Sequence, residues 1–261
     1  MPHLFHPSPS PSCNRYYAWF TALHTRIDFL LLGPQSESDF EQVEEAVRAE
    51  LDAVERMGNR FEPDSELSRV VREAHSRPVP LSTDLYQLLD RCLRANAETG
   101  GLFDITVCSP AFRPGLIRAV HLTPNTDDDG GTLFFQHDAF SQEEATDEPC
   151  IVLDLSGILK GYALERLRKL LQQRGIHDAL VNLGNSSILS LGNNPSDIPP
   201  GHCLTTSGNA TPARRHIMNP LTGTYITGQH EVSVTTANAI EGEIQATLKF
   251  ITSNSHKHKQ L

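Results

Sequence analysis

The stretch formed by residues 151–184 constrains the fold more than any other part of the chain. Residues 151–155 are apolar and partly β-branched, with one acid among them, which is typical of a strand. Gly157 and Gly161 then indicate a turn. After it, leucines recur at helical spacing until Gly175, which is a C-cap signal. A second apolar run closes the stretch. This order predicts a strand–helix–strand unit.

The residues of the turn between the first strand and the helix are compatible with two functions. The turn is either an ordinary connection or a phosphate or metal site, because free N–H groups and the helix dipole favour anions at a helix entrance. The turn matches neither a Walker loop nor a GxGxxG fingerprint, so neither nucleotide motif is assigned to it.

The composition is that of a globular protein with an acidic balance. The chain has 261 residues and is 38% hydrophobic, which is enough for one large domain or two intimate lobes. The net charge of −10 argues against a general nucleic-acid surface, which needs clustered lysine and arginine. An anionic ligand is still compatible with it, because one lysine and a divalent cation reverse a local field.

Cysteine usage and hydropathy predict a cytoplasmic protein without a membrane span. The five cysteines are widely spaced and form no C-x-x-C pair, which suits reduced thiols and argues against zinc. No apolar run reaches the roughly 18 residues that a membrane helix needs. The N-terminal residues lack the apolar core of a signal peptide, so Cys13 is a poor candidate for lipid modification.

The order of the chain predicts an arm, a domain and a tail. Residues 1–18 are rich in proline, serine and histidine and predict an extended arm, residues 19–252 a single domain, and residues 253–261 a flexible tail. A capping box of Ser38 and Glu41 predicts a long amphipathic helix, and Ser82 opens another helix. Further strands are predicted at residues 27–32, 102–107, 187–191 and 232–237. A polar turn with a short helical piece is predicted at 61–69, a solvated hairpin or loop at 123–149, and a turn at 216–223.

The last predicted helix carries a candidate metal-binding pair. Glu243 and Thr247 are four residues apart, so their side chains share one helical face. Carboxylate and hydroxyl oxygens suit Mg²⁺, which is a hard cation. His216 precedes a turn, and on spacing alone a single histidine of this kind is structural.

Taken in order, these motifs resemble those of the ApbE family, the FAD:protein FMN transferases. The family's motifs include Ser-Glu-Leu-Ser-Arg, Asp-Leu-Gly-Gly-Ile-Ala-Lys-Gly-Tyr-Ala, Thr-Ser-Gly and His-x-x-x-Pro-x-Thr-Gly. The corresponding segments here are residues 65–69, 101–107, 154–163, 181–184, 206–208, 216–223 and 243–247. The resemblance covers roughly residues 20–250, and the order of the motifs makes chance similarity improbable.

The resemblance implies an α+β fold, two-lobed and T-fold-like with a mixed sheet, in which FAD lies between the lobes and Mg²⁺ on its pyrophosphate. The implied metal ligands are the backbone carbonyl of Gly157, Glu243 and Thr247, with Ala246 adjacent. The implied FAD contacts are Leu23, Phe61, Leu102, Phe103, Asp104, Asp154, Lys160 and Ile226.

The implied reaction is a Mg²⁺-dependent transfer of FMN from FAD to a threonine of a partner protein. The family's acceptors carry an Asp-x-x-Thr target motif; the threonine hydroxyl attacks the FMN phosphorus, and AMP leaves. Lys160 either adds positive charge at the phosphates or pairs with Asp154. His216 is the candidate to handle a proton or to hold substrate, because the reference pKa of histidine is near neutrality.

The chain departs from the family pattern at several positions. Glu243 replaces the family's final Asp, the sequence Leu23-His24-Thr25 replaces Met-Gly-Thr, and Asn185 replaces a second glycine. The chain also ends soon after Thr247, and the family's lipoprotein signal is not seen. These departures leave three alternatives open: an FAD pyrophosphatase that uses water as nucleophile, an FAD-binding or storage protein that has lost transfer activity, and a scaffold without flavin.

Overall fold

The structure is a computed structural model that describes residues 3–8, 13–136, 151–209, 211 and 216–255. Its helices are α1 (Glu37–Gly58), α2 (Glu66–Ala74), α3 (Thr83–Glu98), α4 (Leu159–Gln173) and α5 (Ala239–Ser255). Its strands are β1 (His3–His6), β2 (Asn14–Ala22), β3 (Thr25–Gly33), β4 (Val79–Leu81), β5 (Val120–Pro124), β6 (Gly131–Phe135), β7 (Asp178–Leu183), β8 (Ser187–Leu191), β9 (Cys203–Asn209), β10 (Met218–Asn219), β11 (Thr224–Tyr225) and β12 (His230–Thr236). The predicted α+β class is confirmed.

The chain forms two compact units. The first unit comprises Met1–Glu55, Gly157–Gly208 and Glu231–Ala246. The second unit comprises Arg56–Ser156, Asn209–His230 and Thr247–Leu261. In the described part of the chain, no helix is both long and apolar enough to cross a membrane.

A seven-stranded sheet in the order β1-β2-β3-β7-β8-β9-β12 forms the centre of the first unit. The pairs from β1 through β9 are antiparallel. The β3–β7 pair joins distant parts of the sequence and sets Ile27 opposite Leu183. Both side chains are fully buried, so this register directs the apolar residues of the two strands to the same face of the sheet.

Helix α1 covers that apolar face. Tyr16 and Phe40 are fully buried, and their rings stack with centroids 5.6 Å apart. Full burial of one large apolar side chain contributes about 1.5–3 kcal/mol. His3 forms a polar contact between β1 and the same helix, because its Nε2 atom lies 3.2 Å from the Glu37 carboxylate and 3.6 Å from the Glu41 carboxylate.

The second unit contains the three-stranded sheet β4-β6-β5 and the two-stranded hairpin of β10 and β11. Helix α2 begins after Ser65, whose hydroxyl accepts a hydrogen bond from the Ser68 N–H at 3.1 Å. Ser82 caps α3 in the same way, through the N–H of Leu85. Both caps satisfy N–H groups that have no partner within the helix.

Most predicted elements are present near their expected limits. The strands predicted at 27–32, 187–191 and 232–237 correspond to β3, β8 and β12, and the helix opened by Ser82 is α3. Strands β5 and β6 form a hairpin over the first part of segment 123–149, which agrees with the predicted hairpin or loop, while residues 137–149 lie outside the described residues. The predicted boundary at residue 18 falls inside β2, because Tyr16 and Ala18 are core residues. The domain limits and the tail stay predictions.

Two predicted strands are wrong. Residues 102–107 form turns, because the Asp104 carboxylate accepts hydrogen bonds from the backbone and the hydroxyl of Thr106 and so holds the chain in a local turn. Residues 151–155 belong to no sheet. Their polar contacts go instead to a loop, where Val152 bonds to the Ser109 hydroxyl and Asp154 to the Ile105 carbonyl.

The capping box of α1 also differs from the prediction. The reciprocal hydrogen bonds join Ser36 and Asp39, whereas Ser38 and Glu41 lie inside the helix. These bonds from Ser36 lower the pKa of Asp39 below its ordinary value. A Ser-x-x-acid pattern occurs at both positions, and the sequence pattern alone does not say which one is the cap.

The turn between β2 and β3 contains backbone strain. Leu23 and His24 have φ values of 49° and 55°, in the left-handed region that a two-residue hairpin of this type requires. Glycine or asparagine usually occupies such positions, because the left-handed conformation costs other residues about 1–2 kcal/mol each. Glu55 stabilises the turn, since its carboxylate accepts the Leu23 N–H at 3.3 Å and lies 3.5 Å from the His24 ring.

We expect His24→Gly to stabilise the protein by about 1 kcal/mol, because glycine adopts the left-handed conformation without a Cβ clash. The measurement is chemical denaturation of the wild type and the variant. The control is His24→Ala, which removes the imidazole contact with Glu55 but keeps the Cβ and therefore the strain. Equal stability of the glycine and alanine variants would contradict the prediction.

Candidate functional site

The entrance of α4 in the first unit carries two of the predicted site residues. Ile158 caps the helix without a side-chain hydrogen bond, and Gly157 before it is exposed, with open space where a Cβ would be. Lys160 follows, and its amino group donates a hydrogen bond to the Ser186 hydroxyl. The predicted turn therefore offers an accessible backbone segment and a cation at a helix N-terminus.

Glu243 is the most perturbed acid of the first unit. It is buried, and its Oε1 atom accepts a hydrogen bond from the Ser187 hydroxyl at 2.6 Å. Burial raises the pKa of Glu243 to about 7, although Ser187 and the charge of Lys160 act in the opposite direction. A carboxylate with so few compensating partners is a group that a cation would stabilise.

The contact between α4 and α5 depends on Gly161. A Cβ on Gly161 would lie 2.6 Å from the Ala239 carbonyl oxygen and 2.7 Å from Glu243 Cγ. The two helices therefore approach at backbone distance beside the buried carboxylate. Gly242 allows a second close approach, since its Cβ would lie 2.6 Å from the hydroxyl oxygen of the buried residue Thr205.

The remaining predicted metal-site residues follow Glu243 along α5. Ala246 is fully buried, and Thr247, which belongs to the second unit, is half-buried one helical turn after Glu243. The helical placement predicted for Glu243 and Thr247 is thus observed. Their role as ligands, together with the Gly157 carbonyl, stays a prediction.

Asp154 in the second unit is held by contacts with several polar groups. Its Oδ2 atom accepts the Cys108 thiol at 3.0 Å and lies 3.2 Å from Arg60 Nε, while Oδ1 accepts the Ser156 N–H at 2.9 Å. Burial raises the pKa of the Cys108 thiol to about 12, and the adjacent Asp154 adds to this. Arg60 therefore forms an ion pair with Asp154, and both roles predicted for Lys160 stay predictions.

Phe61 follows Arg60 in the sequence, and its side chain is 61% exposed. The Arg60 guanidinium lies over its ring, 4.1 Å from the centroid. The backbone is held as well, because the Phe61 N–H donates to Asn59 Oδ1 at 3.0 Å. The structure therefore presents the aromatic side chain at the predicted flavin position on a well-supported turn.

The predicted flavin residues 102–104 form a tight loop after α3. Phe103 is buried, and its backbone is held by the Thr99 hydroxyl and the Asn96 amide. Burial raises the pKa of Asp104 above its ordinary value, although the bonds from Thr106 oppose the shift. Leu102 is half-buried.

Ile226 and His216 flank the hairpin of β10 and β11 in the second unit. Ile226 is buried, its N–H donates to the Ile217 carbonyl, and its own carbonyl accepts the Asn209 amide at 3.0 Å. His216 is exposed at the start of the hairpin. Its position agrees with the predicted turn, and its chemical role stays a prediction.

Asn185 keeps the backbone conformation that its position requires. Its φ of 61° is left-handed, and a reciprocal pair of hydrogen bonds at 2.8 Å joins it to Asn182. Asparagine tolerates this conformation better than most residues because its short side chain bonds locally. The replacement of a glycine at this strand end is therefore structurally compensated.

Sequence reasoning missed three residues of these clusters, namely Ser187, Arg60 and Cys108. Ser187 lies 56 residues from Glu243, and Cys108 lies 46 residues from Asp154. No local pattern identifies such partners, because the contacts exist only after distant segments pack. Arg60 adjoins Phe61, and that adjacency was the one available signal.

Comparison with known proteins agrees with the motif order. The family model described as "ApbE family" matches residues 23–260. The chain belongs to the ApbE family. This match begins at Leu23 and contains every predicted ApbE site residue.

Relatives with curated names are 27–28% identical to this chain over the aligned residues. The FAD:protein FMN transferase of Klebsiella pneumoniae (strain 342) is 27% identical over 246 residues, which cover 79% of this chain and 70% of that protein. The FAD:protein FMN transferase of Escherichia coli (strain K12) is 28% identical over 171 residues, which cover 60% of this chain and 48% of that protein. The match thus spans only about half the length of the Escherichia coli relative.

Solved ApbE structures share the fold. Flavin transferase ApbE from Vibrio cholerae superposes with a TM-score of 0.72 at 22% identity, covering 90% of this chain and 86% of that one. The ApbE protein from Thermotoga maritima gives a TM-score of 0.72 at 18% identity, covering 94% and 89%. At these identities the similarity establishes the ApbE fold.

We expect Gly161→Ala to destabilise the protein by about 1–3 kcal/mol, the usual cost of overpacking. The added methyl would clash with backbone as well as with Glu243, so side-chain rotation cannot relieve it. The measurement is the melting temperature in thermal unfolding. Gly175→Ala is not a suitable control, because the backbone of Gly175 is in the left-handed region and any side chain there adds strain. Gly157→Ala is the better control, since open space surrounds it; equal melting temperatures of the two variants would contradict the prediction.

The raised pKa of Glu243 predicts a pH-dependent stability in metal-free buffer. Glu243 retains its proton in the folded state up to a pKa of about 7, whereas its unfolded value is 4.5. The folded state therefore binds more protons, and the free energy of unfolding falls as pH rises from 4.5 to 7. We expect Glu243→Gln to remove this component and to be more stable than the wild type at pH 8, by up to about 3 kcal/mol.

The measurement is urea denaturation at several pH values with EDTA present. The difference between wild type and variant isolates Glu243 from other titrating groups. Parallel pH profiles for the two proteins would show that Glu243 is not buried in its protonated form.

Proposed function

We propose that this protein is a Mg²⁺-dependent FAD:protein FMN transferase, which moves FMN from FAD to a threonine of a partner protein and releases AMP. The observation that carries the proposal is the burial of the Glu243 carboxylate. The chain keeps a buried carboxylate, with a raised pKa and one hydroxyl partner, at the position where the resemblance requires a metal ligand.

Family membership and the names of the relatives support the flavin chemistry. The relatives in Klebsiella pneumoniae and Escherichia coli are named FAD:protein FMN transferases. FAD is therefore the proposed donor, and a protein with a target threonine the proposed acceptor. The cytoplasm is the proposed compartment, on the ground of the odd number and wide spacing of the cysteines.

The donor set fits Mg²⁺. The proposed ligands are the Gly157 carbonyl, the Glu243 carboxylate and the Thr247 hydroxyl, next to Ala246, and oxygen donors of this kind suit a hard cation. Glutamate is one methylene longer than the family's aspartate, but Gly161 leaves no Cβ between α4 and the Glu243 side chain. Bound Mg²⁺ would neutralise charge on the pyrophosphate and on the leaving oxygen.

The proposed FAD contacts combine polar and aromatic side chains. Asp154 and Asp104 offer carboxylates that are already fixed by hydrogen bonds, and Phe61 offers an exposed ring for stacking. Lys160 supplies a positive charge at a helix entrance, where phosphates are favoured. The remaining proposed contacts are Leu23, Leu102, Phe103 and Ile226.

The proposed reaction is a substitution at phosphorus. A bond forms between the threonine oxygen and the phosphorus of the FMN half, the bond from that phosphorus to the bridging oxygen breaks, and AMP carries that oxygen away. The threonine proton needs an acceptor, for which the exposed His216 is the proposed base. Lys160 would balance the negative charge that accumulates on the phosphates.

The experiment incubates the purified protein with FAD and Mg²⁺, together with an acceptor that carries an Asp-x-x-Thr motif. AMP release and in-gel flavin fluorescence are measured, and an acceptor with valine in place of the threonine is the control. AMP with a fluorescent acceptor supports the proposal. AMP and FMN without labelling would mean hydrolysis, and retained FAD without AMP would mean a flavin-binding protein; either result would overturn the proposed transfer.

We expect Glu243→Ala to reduce Mg²⁺-dependent turnover at least a hundredfold, because it removes the only carboxylate among the proposed ligands. Glu243→Asp is the matched variant, since it restores the family's residue and keeps an oxygen ligand, and it should retain measurable turnover. The readout is AMP release as a function of Mg²⁺ concentration. Unchanged turnover of the alanine variant would show that the metal assignment is incorrect.

A further inference from the structure

Phe61 is the most exposed of the large hydrophobic side chains in the described part of the chain, at 61%. It does not lie on a loosely held loop. Its N–H donates to the side chain of Asn59, which is buried, and the Arg60 carbonyl accepts the Ser68 hydroxyl at 3.2 Å. A hydrogen-bonded turn therefore presents an aromatic ring to solvent, at the position where the resemblance implies a contact with the flavin.

The side chain of Arg60 connects this ring to Asp154. Its guanidinium carbon lies 4.1 Å from the centroid of the Phe61 ring, and its Nε atom lies 3.2 Å from Asp154 Oδ2. That Nε atom is shielded from solvent and lacks a hydrogen bond of good geometry, so the approach to Asp154 is an ion-pair contact. The Arg60 side chain is 28% exposed, so it is a partly desolvated cation, which holds an aromatic face more strongly than a fully exposed one.

Asp154 is itself immobilised from several directions. The Cys108 thiol and the Ser156 N–H donate to its carboxylate, and its own N–H donates to the Ile105 carbonyl. The position of Asp154 therefore determines where the Arg60 guanidinium can lie, and the guanidinium in turn covers one face of Phe61. This series of contacts joins two segments that are far apart in the sequence.

We infer that Arg60 is a positioning residue for the flavin. It holds the Phe61 ring in one orientation, so that the opposite face is preorganised for stacking against the isoalloxazine, and it ties that ring to Asp154. The inference rests on the proposed function, since it assumes FAD as the ligand. A ring that is fixed before binding loses less conformational freedom when the ligand arrives, and this raises affinity without any direct contact from Arg60.

The test measures FAD affinity alone, without acceptor or turnover. FAD is titrated against the wild type, Arg60→Ala, Phe61→Ala and the double variant, and binding is followed by flavin fluorescence. We expect Arg60→Ala to raise the Kd for FAD about tenfold, and the double variant to bind no more weakly than Phe61→Ala. Losses that do not multiply identify Arg60 as acting through Phe61.

Arg94→Ala is the matched control, because it removes an arginine from an exposed ion pair with Asp90 in the same unit. Its Kd should stay within twofold of the wild-type value. Circular dichroism and the melting temperature report folding of each variant. If Arg60→Ala does not fold, Arg60→Gln, which has a shorter and uncharged side chain and so removes the ion pair with Asp154, is titrated in its place, with the same expected loss of affinity.

The outcomes separate this inference from the proposed function. If the wild type does not bind FAD, both are overturned. If the wild type binds FAD and Arg60→Ala binds it equally well, the positioning role alone is overturned. If the losses from Arg60→Ala and Phe61→Ala multiply in the double variant, Arg60 acts independently of the ring, and the inferred route through Phe61 is overturned.

Discussion

The close approach of α4 and α5 at Gly161 is the contact on which the chemistry of the first unit depends. Without a side chain at Gly161, the two helices meet at backbone distance, and the Glu243 side chain packs directly against α4. Its carboxylate is removed from water there, with the Ser187 hydroxyl as a hydrogen-bond partner and the charge of Lys160 nearby. Such an arrangement is costly for an anion, and it becomes favourable when a cation binds. The same packing that stabilises the fold therefore creates a site suited to a metal.

The second unit uses a different arrangement, in which polar groups support an exposed aromatic ring. Asp154 is anchored by the Cys108 thiol and by backbone groups, and it holds Arg60, which lies over Phe61. The raised pKa of Cys108 keeps the thiol protonated, so it serves as a donor and is a poor nucleophile. A structural cysteine and an arginine thus act on the orientation of two residues that are proposed to contact FAD.

Several departures from the ApbE pattern are accommodated by local hydrogen bonds. Asn185 occupies a left-handed position with Asn182 as its partner, and His24 occupies another with Glu55 beside it. The two compensations are unequal, because asparagine tolerates the left-handed conformation better than histidine does. Backbone strain therefore remains at the β2–β3 turn, next to the proposed flavin residue Leu23, where strain is often associated with function.

The sequence by itself determined the elements whose signals are local. Periodicity and a cap residue predicted α3, leucines at helical spacing predicted α4, and short apolar runs predicted β3 and β8, because these patterns depend on near neighbours. Motif order identified the ApbE family and the candidate residues. Residues 102–107 and 151–155 have strand-like composition but form no strand, since a strand needs a partner at the right register and their backbones are engaged by turns and loops. Only the tertiary structure decided that Ser187 meets Glu243 and that Arg60 lies between Asp154 and Phe61, because each contact joins segments that packing alone brings together.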